Sequence, residues 1–209
     1  MYNPPHFTST DLSWLDWLAE QHAFGTLISQ VEGAPFVSHL PVLYTRTNDQ
    51  VLLTGHWARP NHQWHDIESQ RVLFVFHGPH AYVSPRWYPD AEKQVPTWNY
   101  VTAHVYGKIR LIQSGDELES IVVRLSEKFE SGATTPWSFA GSDPANRSRL
   151  KGIVGFELRS DTLQIKIKLK LNQNHVPANV AGVVAGLRAT GSEEAAAVAD
   201  LMQEELERR

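Results

Sequence analysis

Short blocks of apolar residues, punctuated by Gly, Pro, Asn and Asp, run through most of the chain and read as strands more often than helices. Trp14, Leu15, Leu18 and Ala19 recur on one helical face behind Thr8-Ser9-Thr10-Asp11. Those hydroxyls and that carboxylate are N-cap formers, so a helix starts here, and Gly25 is its expected stop. Residues 24–31 and 35–44 flank Glu32-Gly33-Ala34 as a hairpin. Thr47-Asn48-Asp49-Gln50 then turns into a short strand over 51–54. Three antiparallel strands in quick succession predict a meander or barrel wall. Residues 71–76 read as a buried strand and 100–112 as a long one, with Gly107 at an expected bulge or bend. Ser114-Gly115-Asp116-Glu117 has the form of a capping box for a helix to about Phe129. Residues 131–147 are loop-like, with Trp137 and Phe139 as anchors. Residues 153–158 and 163–169 suggest a second hairpin joined near Ser160-Asp161. Its alternation turns Ile165, Ile167, Leu169 and Leu171 to the core and leaves Lys166, Lys168 and Lys170 on a solvated face, or one of them facing an anion. A helix over 178–187, in which Gly182 and Gly186 imply close packing, precedes a C-terminal helix from Gly191-Ser192-Glu193-Glu194 to Arg209. Ala195, Val198, Ala199, Met202 and Leu206 form its apolar stripe.

The stretch from 77 to 107 breaks the pattern. It carries Tyr82, Trp87, Tyr88, Trp98 and Tyr100 among His77, His80, Ser84, Thr97 and Asn99, between the apolar runs 72–76 and 101–105. A solvent loop of that make-up wastes large apolar side chains on water. It reads as the wall of a small-molecule pocket, or else as a tucked loop or dimer seam rich in Trp and Tyr. A second pointer is Gly55-His56-Trp57-Ala58-Arg59-Pro60-Asn61-His62-Gln63-Trp64. Pro60 suits a first helical turn, so the expectation is strand, tight loop and helix N-terminus with Arg59 beside it. Free N–H groups, the helix dipole and one guanidinium make a phosphate site; the alternative is an Arg salt-bridged on the surface.

Composition narrows the chemistry. The 209 residues suffice for one full core, and one domain over 1–209 is expected, with about 176–209 a C-terminal helical extension. The formal net charge is −4, and no run of Lys or Arg forms a nucleic-acid footprint. Cysteine is absent, which excludes disulfides and thiolate metal sites. The start has no charged or apolar leader pattern and no stretch approaches spanning length, so a cytoplasmic protein is the expectation, with no membrane partner. There are ten histidines. Of these, His56, His62 and His65 have only Asp66 nearby and fit no closed zinc site. No Gly-x-Ser-x-Gly or Gly-x-Gly-x-x-Gly motif is present, against a hydrolase or a Rossmann site. A flavin fits better: residues 37–43 and 51–54 offer a ring edge, 55–61 a phosphate loop, and the aromatic segment flat cover.

The order Gly78-Pro79-His80-Ala81-Tyr82-Val83-Ser84-Pro85-x-Trp87-Tyr88, then Val95-Pro96-Thr97-Trp98-Asn99-Tyr100 and His104-Val105-Tyr106-Gly107, resembles the PaiB-type family of FMN-binding negative transcriptional regulators. So do Met1-Tyr2-x-Pro4, Phe24-Gly25-Thr26-Leu27, His39-Leu40-Pro41, Gly55-His56-x-Ala58-Arg59-x-Asn61-x-Gln63-Trp64, the run Leu150-Lys151-Gly152-Ile153-Val154-Gly155-Phe156-Glu157, and Lys170-Leu171-Asn172-Gln173-Asn174. The resemblance implies an α+β, mainly β fold: the split β-barrel of FMN-binding flavoproteins, with peripheral helices and a C-terminal helical pair. It implies a homodimer with two FMN sites at the interface. Carried over residue by residue, His39, Thr54, His56, Arg59 and Asn61 are the cofactor contacts of one subunit, with Trp64 supporting their helix. Tyr82, Ser84, Trp98 and Tyr100 are contacts from the interface side, while Trp57 and Trp87 read as core. No residue stands out as a catalytic acid or base. Three functions stay open: an FMN-binding negative regulator acting indirectly, since direct DNA contact is doubtful for an acidic chain; a flavin-dependent oxidoreductase acting on a small molecule; and a cofactor store.

Overall fold

The computed structural model describes residues Met1 to Arg208. A single 3-10 turn leads to the two-residue strand β1 (Thr8–Ser9) and helix α1 (Ser13–Gln21), whose Ser13 N–H is accepted by the Asp11 carboxylate at 2.9 Å. The hairpin of β2 (Phe24–Val31) and β3 (Ala34–Pro41) turns at Glu32 and Gly33, with φ of 52° and 77°. Two left-handed residues in a row give the turn whose twist matches paired strands. A second hairpin joins β4 (Leu43–Thr47) to β5 (Gln50–Ala58). After it come β6 (Val72–Val83), β7 (Thr97–Ile112), α2 (Gly115–Glu130), α3 (Pro144–Arg149), β8 (Ile153–Asp161), β9 (Ile165–Lys170), α4 (Pro177–Ala189) and α5 (Glu193–Glu207).

The chain divides into two compact units, and it passes from one to the other within β6 and within β7. The larger holds residues 16–76 and 104–165. Its strands pair antiparallel: Phe24 opposite Pro41, Ile28 opposite Leu73, Leu43 opposite Thr54, Gly55 opposite Phe156 and Ile109 opposite Leu158. The order β3-β2-β6-β7-β8-β5-β4 leaves the sheet open, with β3 and β4 at its ends. Leu27, Leu53, Trp57, Phe74, Phe76 and Phe156 fill the interior, and α2 closes one side by setting Leu118, Ile121 and Leu125 against Leu43, Ile112 and Leu150. Gly107 marks a close approach: a Cβ there would meet the Arg159 carbonyl of β8.

The smaller unit holds residues 1–15, 77–103 and the chain from Lys166 onward. Here β1 pairs with β9, Thr8 opposite Lys168. The C-terminal pair α4 and α5 buries Val180, Val183, Val184 and Leu187 with Ala195, Val198, Ala199, Leu201 and Met202. The close packing expected at Gly182 and Gly186 is with Trp87, whose carbonyl and indole occupy the space their missing side chains leave.

Several expectations need correction. Residues 77–83 are strand, not loop, with Gly78 and Pro79 inside β6; a proline is tolerated wherever the ladder does not draw on its N–H. The connection between β6 and β7 is therefore residues 84–96. The expected hairpin of 153–169 does not form: β8 pairs with β5 and β7, and β9 with β1 and β7, on either side of a 3-10 turn that Asp161 caps. Helix α1 ends at Gln21, and Gly25 lies in β2 beneath Phe74. Ser114 is the N-cap of α2 but makes no side-chain cap bond. Phe139 packs on the α2 cluster, whereas Trp137 is exposed. In β9 the alternation fails at Lys168, which is as buried as Ile167 and Leu169.

Candidate functional site

The end of β5 and the turn after it carry Thr54, His56, Arg59 and Asn61, four of the five sequence-predicted residues of the larger unit, and β3 carries the fifth, His39. Successive strand side chains alternate, so Leu53, Gly55 and Trp57 share one face while Thr54 and His56 share the other. Gly55 lets two neighbours close in: a Cβ there would lie 2.8 Å from the Phe156 ring and 3.0 Å from the Pro41 carbonyl. Pro41, at the end of β3 and two residues after His39, thus lies against the Gly55 face of β5, the face opposite Thr54 and His56. Thr54 is buried, and His39 is exposed with its ring stacked on Phe24 at 6.5 Å.

Arg59 follows in a turn. Its backbone N–H donates to Gly152 O at 2.8 Å; its guanidinium donates from Nε to Lys151 O at 2.7 Å and from Nη2 to Ile153 O at 2.9 Å. Two of five donors are spent on neutral carbonyls, and no carboxylate among the described residues pairs with the charge. The surface salt bridge is therefore not what holds Arg59. The expected helix at Pro60 is absent: residues 59 and 60 form a turn, and a single 3-10 turn, His62–Trp64, follows. One such turn has no developed dipole, so that part of the phosphate argument lapses and the guanidinium remains. Asn61 caps the turn, its Oδ1 accepting the Gln63 N–H at 2.8 Å, and its Nδ2 donates to Ser38 Oγ on β3 at 2.9 Å. Trp64 supports the same turn by donating from Nε1 to Arg59 O at 2.9 Å.

Gln63, which the sequence did not single out, holds this corner together. It is 0% exposed, accepts from Trp57 Nε1 at 3.1 Å, and donates from Nε2 to Leu27 O and Phe36 O, each at 3.1 Å. The sequence signals are its place in the Asn61-x-Gln63-Trp64 part of the family motif and an uncharged amide between two hydrogen-bonding aromatic residues, Trp57 and Trp64.

His56 has a buried Nδ1 with no hydrogen-bond partner. Burial pushes its pKa below the usual 6.5, which keeps the imidazole neutral. Because the folded-state pKa is depressed, the stability this confers is fully present above about pH 6.5 and is lost as pH falls below it, by at most about 1.4 kcal/mol per pH unit. His56→Leu is expected to flatten the fall in melting temperature between about pH 6.5 and 5 relative to the parent. Parallel pH profiles of the two proteins would contradict the neutral, buried imidazole.

The other four predicted residues belong to the smaller unit. Tyr82 and Trp98 are 46% and 53% exposed, their rings edge-to-face at 6.1 Å, with His80 beside Trp98. Ser84 is buried, and its hydroxyl accepts from both the backbone N–H and Nε of Arg86 at 3.3 Å. Tyr100 lies under the Lys168 ammonium, 5.3 Å from its ring centre. Among the described residues no group of three or more His, Asp or Glu side chains is placed to hold a metal ion.

Residues 1–162 match the family model described as "Putative FMN-binding domain". The chain belongs to this FMN-binding domain family. Its relatives include the "Protease synthase and sporulation protein PAI 2" of Bacillus subtilis, 33% identical over 211 residues and covering 100% of both chains. An uncharacterized protein of Emericella nidulans is 28% identical over 245 residues, covering 98% of this chain and 97% of its own. Among solved structures, the flavocytochrome Anf3 of Azotobacter vinelandii superposes with a TM-score of 0.59 at 13% identity, over 78% of this chain and 69% of that one. The FAD and heme binding protein of Mycobacterium smegmatis gives 0.57 at 17% identity, over 78% and 73%. At that identity the likeness is one of fold, and the fold is the split barrel of flavin-binding proteins, here with its sheet unclosed.

The residues at the β5 end fit a flavin. The unpartnered His56 nitrogen can take a hydrogen bond at a ring edge or ribityl chain, and the uncompensated Arg59 guanidinium suits a phosphate.

Proposed function

We propose that the protein binds FMN as a homodimer and acts as a PaiB-like negative regulator through a metabolite or protein partner rather than by contacting DNA. The observation that carries the FMN reading is the Arg59 guanidinium, fixed by two carbonyls and lacking a counter-charge, three residues after His56 with its orphaned nitrogen. Arg59 takes the phosphate, His56 and Thr54 meet the flavin along β5, His39 and Asn61 border it from β3 and the turn. The exposed ring pair of Tyr82 and Trp98 is assigned to the dimer interface, with Tyr100 close behind it and Ser84 shaping the strand exit.

A bound flavin supplies reversible one- or two-electron transfer. The chain's own contribution is binding and shielding: His56, neutral at physiological pH, can accept or donate one hydrogen bond without adding charge, and Arg59 offsets the phosphate. Regulation is the reading favoured by a full-length likeness to a relative named for protease synthesis and sporulation. The indirect route follows from the net charge of −4, which leaves few phosphates of DNA to neutralise. Among the described residues, helices α2, α4 and α5 hold only Arg124, Lys128 and Arg188 as cations, and Arg147 of the short α3 is paired with Asp116 and Glu119. A cytoplasmic site of action accords with the described residues containing no helix long and apolar enough to cross a membrane.

The test is an absorbance and fluorescence-quenching titration of the purified chain with FMN, riboflavin and FAD, with sedimentation of the complex. FMN is expected to bind more tightly than riboflavin, to a dimer. A chain that takes up no flavin overturns the reading. Rapid bleaching of the bound flavin by NADH or NADPH would replace regulation with a flavin-dependent oxidoreductase.

A further inference from the structure

We propose that Lys168 and Lys170 form an oxyanion site in the smaller unit, one that takes the phosphate group of a small molecule. The proposal does not rest on the flavin reading. The family match ends at residue 162, before both lysines, and the β5 corner lies in the other unit.

Lysine is rarely buried without a counter-charge, because desolvating an ammonium is costly unless an anion or a full set of acceptors replaces water. Lys168 is only 7% exposed. Its ammonium donates to one neutral acceptor, Tyr2 O, at 3.1 Å, and lies 5.6 Å and 5.3 Å from the centres of the Tyr2 and Tyr100 rings. Lys170, half-buried two residues along the same face, donates to Thr97 Oγ1 and Trp98 O, each at 2.6 Å, with its ammonium 5.8 Å from the Phe7 ring. No carboxylate among the described residues pairs with either. Ring faces and carbonyls offset part of the charge, yet none of them is an anion.

Two like charges side by side oppose each other. Burial pushes the Lys170 pKa down, and the neighbouring Lys168 pushes it further the same way. A structure that gathers two cations, aromatic faces and a hydroxyl, and leaves out the acid, is missing a negative partner. A phosphate monoester answers best. Its several oxygens can accept from both ammoniums and from the Thr97 hydroxyl together, whereas a monovalent carboxylate neutralises one charge. Half-exposed Lys170 gives the approach. The phosphate has two sources, the tail of a flavin or a separate phosphorylated metabolite.

The experiment uses the unaltered full chain, free of flavin, with its lysine amino groups observed by nitrogen-15 NMR during titration with inorganic phosphate at constant ionic strength. The expected result is a saturable shift of the Lys168 and Lys170 Nζ signals, with a dissociation constant on the order of 1 mM. The double variant K168M/K170M, which keeps the length of both stems, is expected to bind phosphate at least about tenfold more weakly. It should melt no lower than the parent, since it removes two mutually repelling cations, one buried and one half-buried. Adding FMN then separates the sources: displacement of phosphate identifies the flavin tail as occupant, and simultaneous binding identifies a separate ligand. An unshifted pair of Nζ signals far above that concentration overturns the site. So does a folded double variant that binds phosphate as the parent does. Should the variant fail to fold, the titration of the unaltered chain decides alone.

Discussion

Gln63→Leu is expected to destabilise the protein by about 3 kcal/mol or more, a larger loss than most single substitutions produce. The replacement is close in size and apolar, so little packing is lost. What is lost is the pairing of three buried groups at once: the Trp57 indole N–H and the carbonyls of Leu27 and Phe36. Each buried group left without a partner costs about 1–3 kcal/mol, and the added apolar burial of leucine offsets only part of that. Since Leu27 is on β2, Phe36 on β3 and Trp57 on β5, the side chain ties three strands to the turn that follows β5. The same variant should therefore loosen the positions of Arg59 and Asn61 and weaken flavin binding even where the chain stays folded. Chemical denaturation measures the first effect and flavin titration below the midpoint the second. A loss under about 1 kcal/mol would show that water or a local rearrangement satisfies those groups.

Local rules read much of the fold correctly, and their failures share a cause. The hairpin at Glu32 and Gly33 was legible because a two-residue turn needs left-handed backbone and glycine supplies it readily. Gly182 and Gly186 announced a close neighbour because they are spaced one turn apart on one helix face, although only the structure names Trp87. In β9 the alternation told Ile167 and Leu169 from Lys168 by face, but not whether the second face was open to water; Tyr2 and Tyr100 cover it, and both are remote in sequence. The hairpin expected over 153–169 failed similarly, because a strand's apolar pattern says that it is buried and leaves its partner unnamed. Where non-local contacts decide, one-dimensional patterns stop.

The candidate site divides along the same line. Its location at the end of β5 followed from the motif, and Asn61 was expected near the phosphate. The structure gives Asn61 a local task as well: both ends of its amide are engaged, by Gln63 and by Ser38. Ser84 has likewise spent its hydroxyl on Arg86. For Arg59 the sequence offered a choice between phosphate ligand and surface salt bridge. The structure supplies a third arrangement, a guanidinium bonded to carbonyls 92 and 94 residues away, which no local window can show.

That arrangement changes what Arg59→Ala should do. Charged hydrogen bonds are worth about 1.5–3 kcal/mol each, but this side chain is half-exposed, so its two bonds to Lys151 O and Ile153 O are expected to contribute about 1–2 kcal/mol together. The apo protein should accordingly melt lower. The phosphate contact is a separate loss, and its size is on the order of ten- to a hundredfold in FMN affinity. Riboflavin separates the two, because it has the same ring and ribityl chain without the phosphate. Any general damage to the corner weakens FMN and riboflavin alike, whereas loss of the phosphate contact lowers only the first. The expected result is that the preference for FMN over riboflavin falls by about tenfold or more in the variant, whatever happens to its melting temperature. Arg59→Lys is expected to retain part of that preference, since it keeps the charge, while losing the bridge between the two carbonyls and melting nearly as low as Arg59→Ala. If both variants keep the full preference, the phosphate is held elsewhere and Arg59 serves only to pin the turn to residues 151–153.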